Sequence, residues 1–176
     1  MTRRSRPRST GFPPIARADA RLLILGSLPG AASLAAGQYY AQPRNAFWPI
    51  MGRLAGADAA LDYAERCRRL MQRGVAVWDV CHSAHRPGSL DAAIDVRTIV
   101  PNDFAAFFAA HPLIGCIGFN GAAAARWFER LVLPDLPERI RALPRLRLPS
   151  TSPAHAALSL ERKLLRWAEL FESQGH

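Results

Sequence analysis

Lysine is almost missing from this chain: Lys163 is the only one among 23 Lys and Arg residues. A lysine nucleophile is therefore available at one position, in the last predicted helix. Cysteine is scarce as well. Cys67, Cys81 and Cys116 are odd in number and no pair has CxxC spacing, which argues against a disulfide framework and excludes a four-cysteine iron–sulfur cluster held by one chain. Cys81, His82 and His85 lie close together, yet no second ligand pair follows at zinc-finger spacing, so no metal or cofactor is expected. No apolar run approaches the ~20 residues that cross a bilayer. The charged start MTRRSRPRST has no apolar stretch behind it, so neither a membrane span nor a signal peptide is expected. Also missing are the P-loop pattern GxxxxGK followed by Ser or Thr, the dinucleotide pattern GxGxxG, and the nucleophile elbow GxSxG, which GSLPG does not satisfy. Nucleotide hydrolysis and serine-esterase chemistry are weakly supported.

Negative charge is in short supply too. With 14 acidic residues the net charge is +9 and the isoelectric point about 10.9, a balance that favours a polyanionic partner, nucleic acid first. An arginine-rich, alanine-rich bias could also come from GC-rich coding. At 176 residues and 49% apolar, the chain is long enough for one domain with a real core. Residues 1–19 read as a basic flexible arm with its leading loop, and 20–176 as a single domain; a cytoplasmic monomer is expected.

The chain is organised around residues 22–48, LLILGSLPGAASLAAGQYYAQPRNAFW. The apolar run Leu22 to Leu25 ends at Gly26, as a buried strand ending in a glycine turn would. Further strands are expected at 75–80, 113–119 and 146–148, and helices at 46–54, 58–73, 103–110, 121–132, 137–142 and 156–173. In the last of these Leu160, Leu164, Trp167 and Phe171 are placed inward. Asn102 is expected to cap the 103–110 helix and Ser89 a short turn at Leu90. Strands alternate with helices, so the fold class is α/β, a three-layer sandwich around a mostly parallel four-stranded sheet. The loops 26–45, 81–90 and 149–155 leave strand carboxyl ends and should meet in one crevice.

Several residues of that crevice carry two readings. Asn45 suits a helix cap at Ala46 or a ligand contact, and Asp79 suits loop-amide binding or ligand recognition. Tyr39 and Tyr40 suit one core and one surface residue, or a base-stacking platform. Asn120-Gly121 reads as a turn or as free helix amides facing a phosphate, and Arg44, Arg86 and His155 as surface residues or phosphate partners.

Gly26-x-x-Pro29-Gly30, Ser33, Gly37, Tyr40-Ala41, Pro43, Asn45 and Phe47-Trp48 together resemble the first motif of the uracil-DNA glycosylase superfamily. QYYA-x-P-R-N-x-F-W is similar to its hypoxanthine-DNA glycosylase branch. Val77–Val80, Gly88–Asp91, Pro101–Phe104, Phe119–Gly121 and Leu148–Pro153 agree, so the likeness runs from about residue 11 onward. The resemblance implies a DNA-binding enzyme of base excision repair, working at the nucleoid. It flips a deaminated base from the duplex and hydrolyses its N-glycosidic bond. It implies Tyr40 stacked on the flipped base, Asp79 reading its edge, and DNA contacts from Gly30, Ser33, Arg44, Gly121, Ser150, Ser152 and His155.

The chain departs from the pattern at Leu28, where many relatives keep a carboxylate or amide that positions the attacking water. The hypoxanthine branch is similar in lacking it and implies Asn45 as the catalytic residue, an orienting amide rather than a base, with Leu28 against the base. With no lysine in the crevice motifs, a Schiff-base lyase step is not expected. A mismatch-specific uracil or thymine glycosylase and a damage-binding protein without catalysis remain alternatives.

Overall fold

The computed structural model describes residues 8–173. Among them, four strands form a parallel sheet in the order β3-β2-β6-β7: β2 (Leu22–Gly26), β3 (Val75–Asp79), β6 (Cys116–Asn120) and β7 (Arg145–Leu148). Every residue of β2, β3 and β6 is buried. Their near-continuous apolar runs are what a sheet covered on both faces requires.

The two covering layers follow from the pleat of β6. On one side Gly118 lies under Leu170 of α7 (Leu160–Glu172); a Cβ there would sit 2.5 Å from the leucine Cδ2. α7 packs on α2 (Phe47–Ala55), and α2 on α3 (Tyr63–Gln72). On the other side Phe119 meets Phe128 of α5 (Ala122–Leu131) at 5.4 Å, and Phe128 meets Phe104 of α4 (Phe104–Ala110) edge-on at 5.3 Å. Successive side chains of a strand face opposite sides, so these are opposite layers. The expected three-layer α/β sandwich is the observed one.

Several local expectations need correction. Residues 26–45 are not all loop: AASLAA forms α1 (Ala31–Ala36), stopped by Gly37 at φ 64°, where glycine adopts the left-handed conformation without strain. Residues 81–90 are not all loop either. Cys81–His85 is a strand, β4, in a second, antiparallel sheet with β1 (Arg8–Thr10) and β5 (Val100–Pro101). Residues 8–19 of the expected 1–19 arm and loop are thereby tied into the fold, with Ile15 bridging Val77; residues 1–7 of that arm lie outside the described residues.

Asp103, not Asn102, caps α4, its side chain accepting from the Ala106 amide at 3.0 Å, while Asn102 donates to the Asp79 carbonyl at 2.7 Å. Ser89 accepts from the Ala31 amide at 2.8 Å instead of capping a turn at Leu90. The last helix starts four residues late, at Leu160 behind the Ser159 cap, and its buried face is Lys163, Trp167 and Leu170 with Leu160 exposed.

Candidate active site

Gly26 and Asp79 are register partners at the carboxyl ends of neighbouring strands, and Asn120 ends the next one. A cleft of about 730 Å³ opens above them, a size that holds one small ligand. The position, at the carboxyl ends of adjacent parallel strands where the strand order reverses between β2 and β6, is where open α/β sheets bind ligands.

The loop after β2 forms one wall and is fixed from within. Tyr39 is buried, its hydroxyl donating to the Pro13 carbonyl at 2.9 Å and its carbonyl accepting from Trp48 Nε1 at 2.9 Å. Ser33 is buried, and its hydroxyl accepts from the Ala41 amide at 3.1 Å. Between these anchors Tyr40 is driven to φ 55°, a conformation that non-glycine residues rarely adopt. Its ring stacks on Phe47 with centroids 4.0 Å apart, and its buried hydroxyl makes no hydrogen bond within the geometric limits among the described residues.

Gly26 makes this convergence possible. A Cβ at position 26 would lie 2.5 Å from Asp79 Oδ1 and 2.8 Å from Tyr40 Oη. Asp79 is buried at the cleft floor, and its Oδ2 also finds no hydrogen bond among the described residues. Two buried oxygens in one cleft without a hydrogen bond among the described residues are unusual in a native fold. Asp79 therefore does not serve the loop-amide role its position also suited. Burial pushes its carboxyl up to about 7, with Asp91 adding and Arg86 opposing.

That shift makes a stability prediction. A carboxyl with a raised folded pKa contributes stability below the unfolded value near 4 and loses it as pH rises through about 7. Asp79→Asn should therefore gain stability over the unmodified chain as pH rises from 4 to 8, by on the order of 2 to 4 kcal/mol. Denaturant unfolding of both proteins across that range checks it; a constant difference would contradict it.

The opposite wall is the loop after β7, joined to the first wall where the Ala46 amide donates to the Thr151 carbonyl at 3.0 Å. Asn120 clasps Thr151 twice: its Nδ2 donates to Oγ1 and its Oδ1 accepts from the amide, both at 2.9 Å. Helix α7 holds both ends of the loop, Trp167 Nε1 donating to the Pro149 carbonyl at 3.0 Å and Lys163 Nζ to the His155 carbonyl at 2.7 Å. The one lysine is thus buried and occupied. Ser150 and Ser152 hydroxyls accept from the amides of Ser152 and Ala154, each at 3.2 Å, and His155 is exposed at the rim.

The cleft brings together Asn45, Tyr40, Asp79, Leu28, Gly30, Ser33, Arg44, Ser150, Ser152 and His155. Gly121 stands outside it, at φ 95° beneath Ser150, where a Cβ would meet the serine Cβ at 3.2 Å. Asn45 does bond the start of α2: its Oδ1 accepts from the Phe47 amide at 2.9 Å, and no hydrogen bond among the described residues uses its Nδ2. Arg44 is exposed at the mouth. Arg86 is not a surface phosphate partner. It is buried, and its guanidinium donates to the Leu28 carbonyl at 3.2 Å and to the Pro29 carbonyl, fixing the first loop from behind. Asp91 was missed as a site residue; it enters the cleft on the segment after β4, and Gly88–Asp91 was its only signal.

These features define an α/β protein with a ligand cleft that presents an aromatic platform and uncommitted buried oxygens. Residues 13–171 match the family model of the uracil DNA glycosylase superfamily, and the chain belongs to that family. It is 32% identical over 163 residues to a hypoxanthine DNA glycosylase of Methanosarcina barkeri, covering 92% of this chain and 97% of the relative. It is 33% identical over 134 residues to a hypoxanthine DNA glycosylase of Methanosarcina acetivorans, covering 71% of this chain and 84% of that one. A Methanosarcina acetivorans protein solved by solution NMR as a candidate uracil DNA glycosylase superposes with a TM-score of 0.78 at 30% identity, over 97% of this chain and all of the other.

Proposed function

We propose that this DNA glycosylase removes hypoxanthine from deoxyinosine in DNA, as a monofunctional hydrolase acting as a monomer. The observation that carries the reading is the buried Asp79 Oδ2, which finds no hydrogen bond among the described residues, beside the Tyr40 ring at the floor of a cleft with room for a nucleoside. Hypoxanthine offers Asp79 both kinds of partner: an N1–H that donates to a carboxylate, and O6 and N7, which accept from a protonated acid. The relatives' names support the same base. Tyr40, held against Phe47, would stack on the flipped base, and Leu28 would line its apolar side.

Arg44, Ser150, Ser152, His155 and the amides around Gly30 line the cleft on the side where phosphates would pass, and Gly121 lets Ser150 close down. Ser33 acts from inside the loop, through the Ala41 amide. Asn45 would hold a water through its free Nδ2; an amide orients and does not take the proton. Lys163 donates to the His155 carbonyl, which leaves no free lysine amine among the described residues of the crevice for a Schiff base.

A panel of duplexes carrying deoxyinosine, uracil opposite guanine, thymine opposite guanine, or xanthine tests the substrate. Alkali-labile product should accumulate fastest from deoxyinosine; faster product from a uracil or thymine mismatch would replace hypoxanthine with the mismatch reading.

A further inference from the structure

Hydrolysis at the sugar carbon frees a proton from the attacking water, and neither Leu28 nor Asn45, the residues placed nearest that water, can accept it. Leu28 is a hydrocarbon. Asn45 is not basic, and its Oδ1 already accepts from the Phe47 amide. The cleft holds two ionisable carboxyls, Asp79 and Asp91. Asp79 sits at the floor against Gly26 and the Tyr40 hydroxyl, where the edge of a stacked base would lie.

Asp91 comes from elsewhere. It opens a short 3-10 turn, Asp91–Ala93, after β4, and reaches the cleft beside the first loop. Its Oδ1 accepts a hydrogen bond from Ser27 Oγ at 2.6 Å, the residue next to Leu28. Its other oxygen takes no hydrogen bond from the described residues. It is half-buried, so it is partly removed from water yet reachable.

We propose that Asp91 is the catalytic carboxylate of this glycosylase, supplied from the loop after β4 in place of any acid on the first loop. The proposal rests on the glycosylase reading above. In the step it performs, the water oxygen bonds to C1′ as the C1′–N9 bond breaks and its electron pair leaves with the base. The water proton passes to Asp91 Oδ2, and the departing base anion takes a proton from solvent. Base and abasic sugar are the products, and Asp91 then returns its proton to water. While ionised, Asp91 also faces the positive charge that develops on the sugar.

Burial holds the Asp91 carboxyl above the usual carboxylate range, and charged and titratable groups from several elements act on it. Ser27 donates to it from the end of β2, Arg86 and Arg126 favour its ionised form from the segment after β4 and from α5, and Asp79 at the end of β3 disfavours it. The Cys81 thiol of β4 and the Tyr40 phenol also face it, both neutral at working pH because burial raises them.

The test is single-turnover base release by the full chain, followed against pH. Asp91→Asn should lower the rate at pH 7 by about 100-fold or more and abolish the fall of rate on the acid side, while binding to the same duplex stays within about threefold. Asp91→Glu should restore part of the rate. Ser27→Ala, which only removes the donor to Asp91, should move the acid limb to higher pH. An Asp91→Asn rate within about threefold of the unmodified enzyme, or an acid limb unchanged in both Asp91→Asn and Ser27→Ala, would overturn the assignment. Should Asp91→Asn fail to fold, the Ser27→Ala limb decides. If the unmodified enzyme releases uracil, thymine or xanthine instead of hypoxanthine, the substrate reading fails and the same ratio on that base decides Asp91. Release of no base at all would overturn both.

Discussion

Asn45→Ser is expected to lower single-turnover excision from a deoxyinosine duplex by about 100-fold or more while changing duplex affinity by no more than about threefold. The amide's two ends do different things. Its Oδ1 holds the Phe47 amide at the start of α2, and its Nδ2 is uncommitted in the cleft. Serine can accept from the same backbone amide, so it keeps the helix start and removes only the cleft donor. Alanine removes both, so Asn45→Ala should lose about 1 kcal/mol of stability in addition to the rate, which Asn45→Ser should not. Thermal unfolding of the two variants beside their rates separates the roles. If serine keeps full activity, Asn45 only starts the helix.

Gly26→Ala is expected to remove excision almost entirely, by at least about 100-fold, through one methyl group. The added Cβ would stand 2.5 Å from Asp79 Oδ1 and 2.8 Å from Tyr40 Oη, closer than real Cβ contacts come. Asp79 is short, buried and fixed at its backbone by the Asn102 donor to its carbonyl, so it has little room to yield. Tyr40 is held by the Phe47 stack. The methyl therefore displaces the two groups that would meet the base. Gly26 itself is in the sheet, so part of the cost should appear as lower stability. A Gly26→Ala protein that is folded by circular dichroism and excises at the normal rate would show that Asp79 and Tyr40 do not need this close approach.

The sheet was legible because burial on both faces leaves continuous apolar runs: Leu22–Leu25 and Val75–Val77 announce themselves. Asn45 and Tyr40 were legible through a long motif with a fixed register. What stayed hidden depends on pairing across the chain. CHSAH reads as polar loop, and it is a strand because Arg8–Thr10, about 75 residues earlier, lies beside it. Arg86 reads as a surface cation, and it is buried because two loop carbonyls, Leu28 and Pro29, need a donor behind them. Lys163 falls outside the inward face that the spacing of Leu160, Leu164, Trp167 and Phe171 marks; its partner is a carbonyl eight residues back, which no side-chain pattern reveals. Asp91 gave only a short segment of likeness, because its role comes from where the loop after β4 lands rather than from its neighbours in sequence.

The most direct measurement is the free base itself. A duplex with a single deoxyinosine is incubated with excess protein and the small-molecule fraction is analysed by mass spectrometry. The account predicts one equivalent of hypoxanthine with an intact, alkali-labile strand left behind. A duplex that is bound but keeps its hypoxanthine would contradict it.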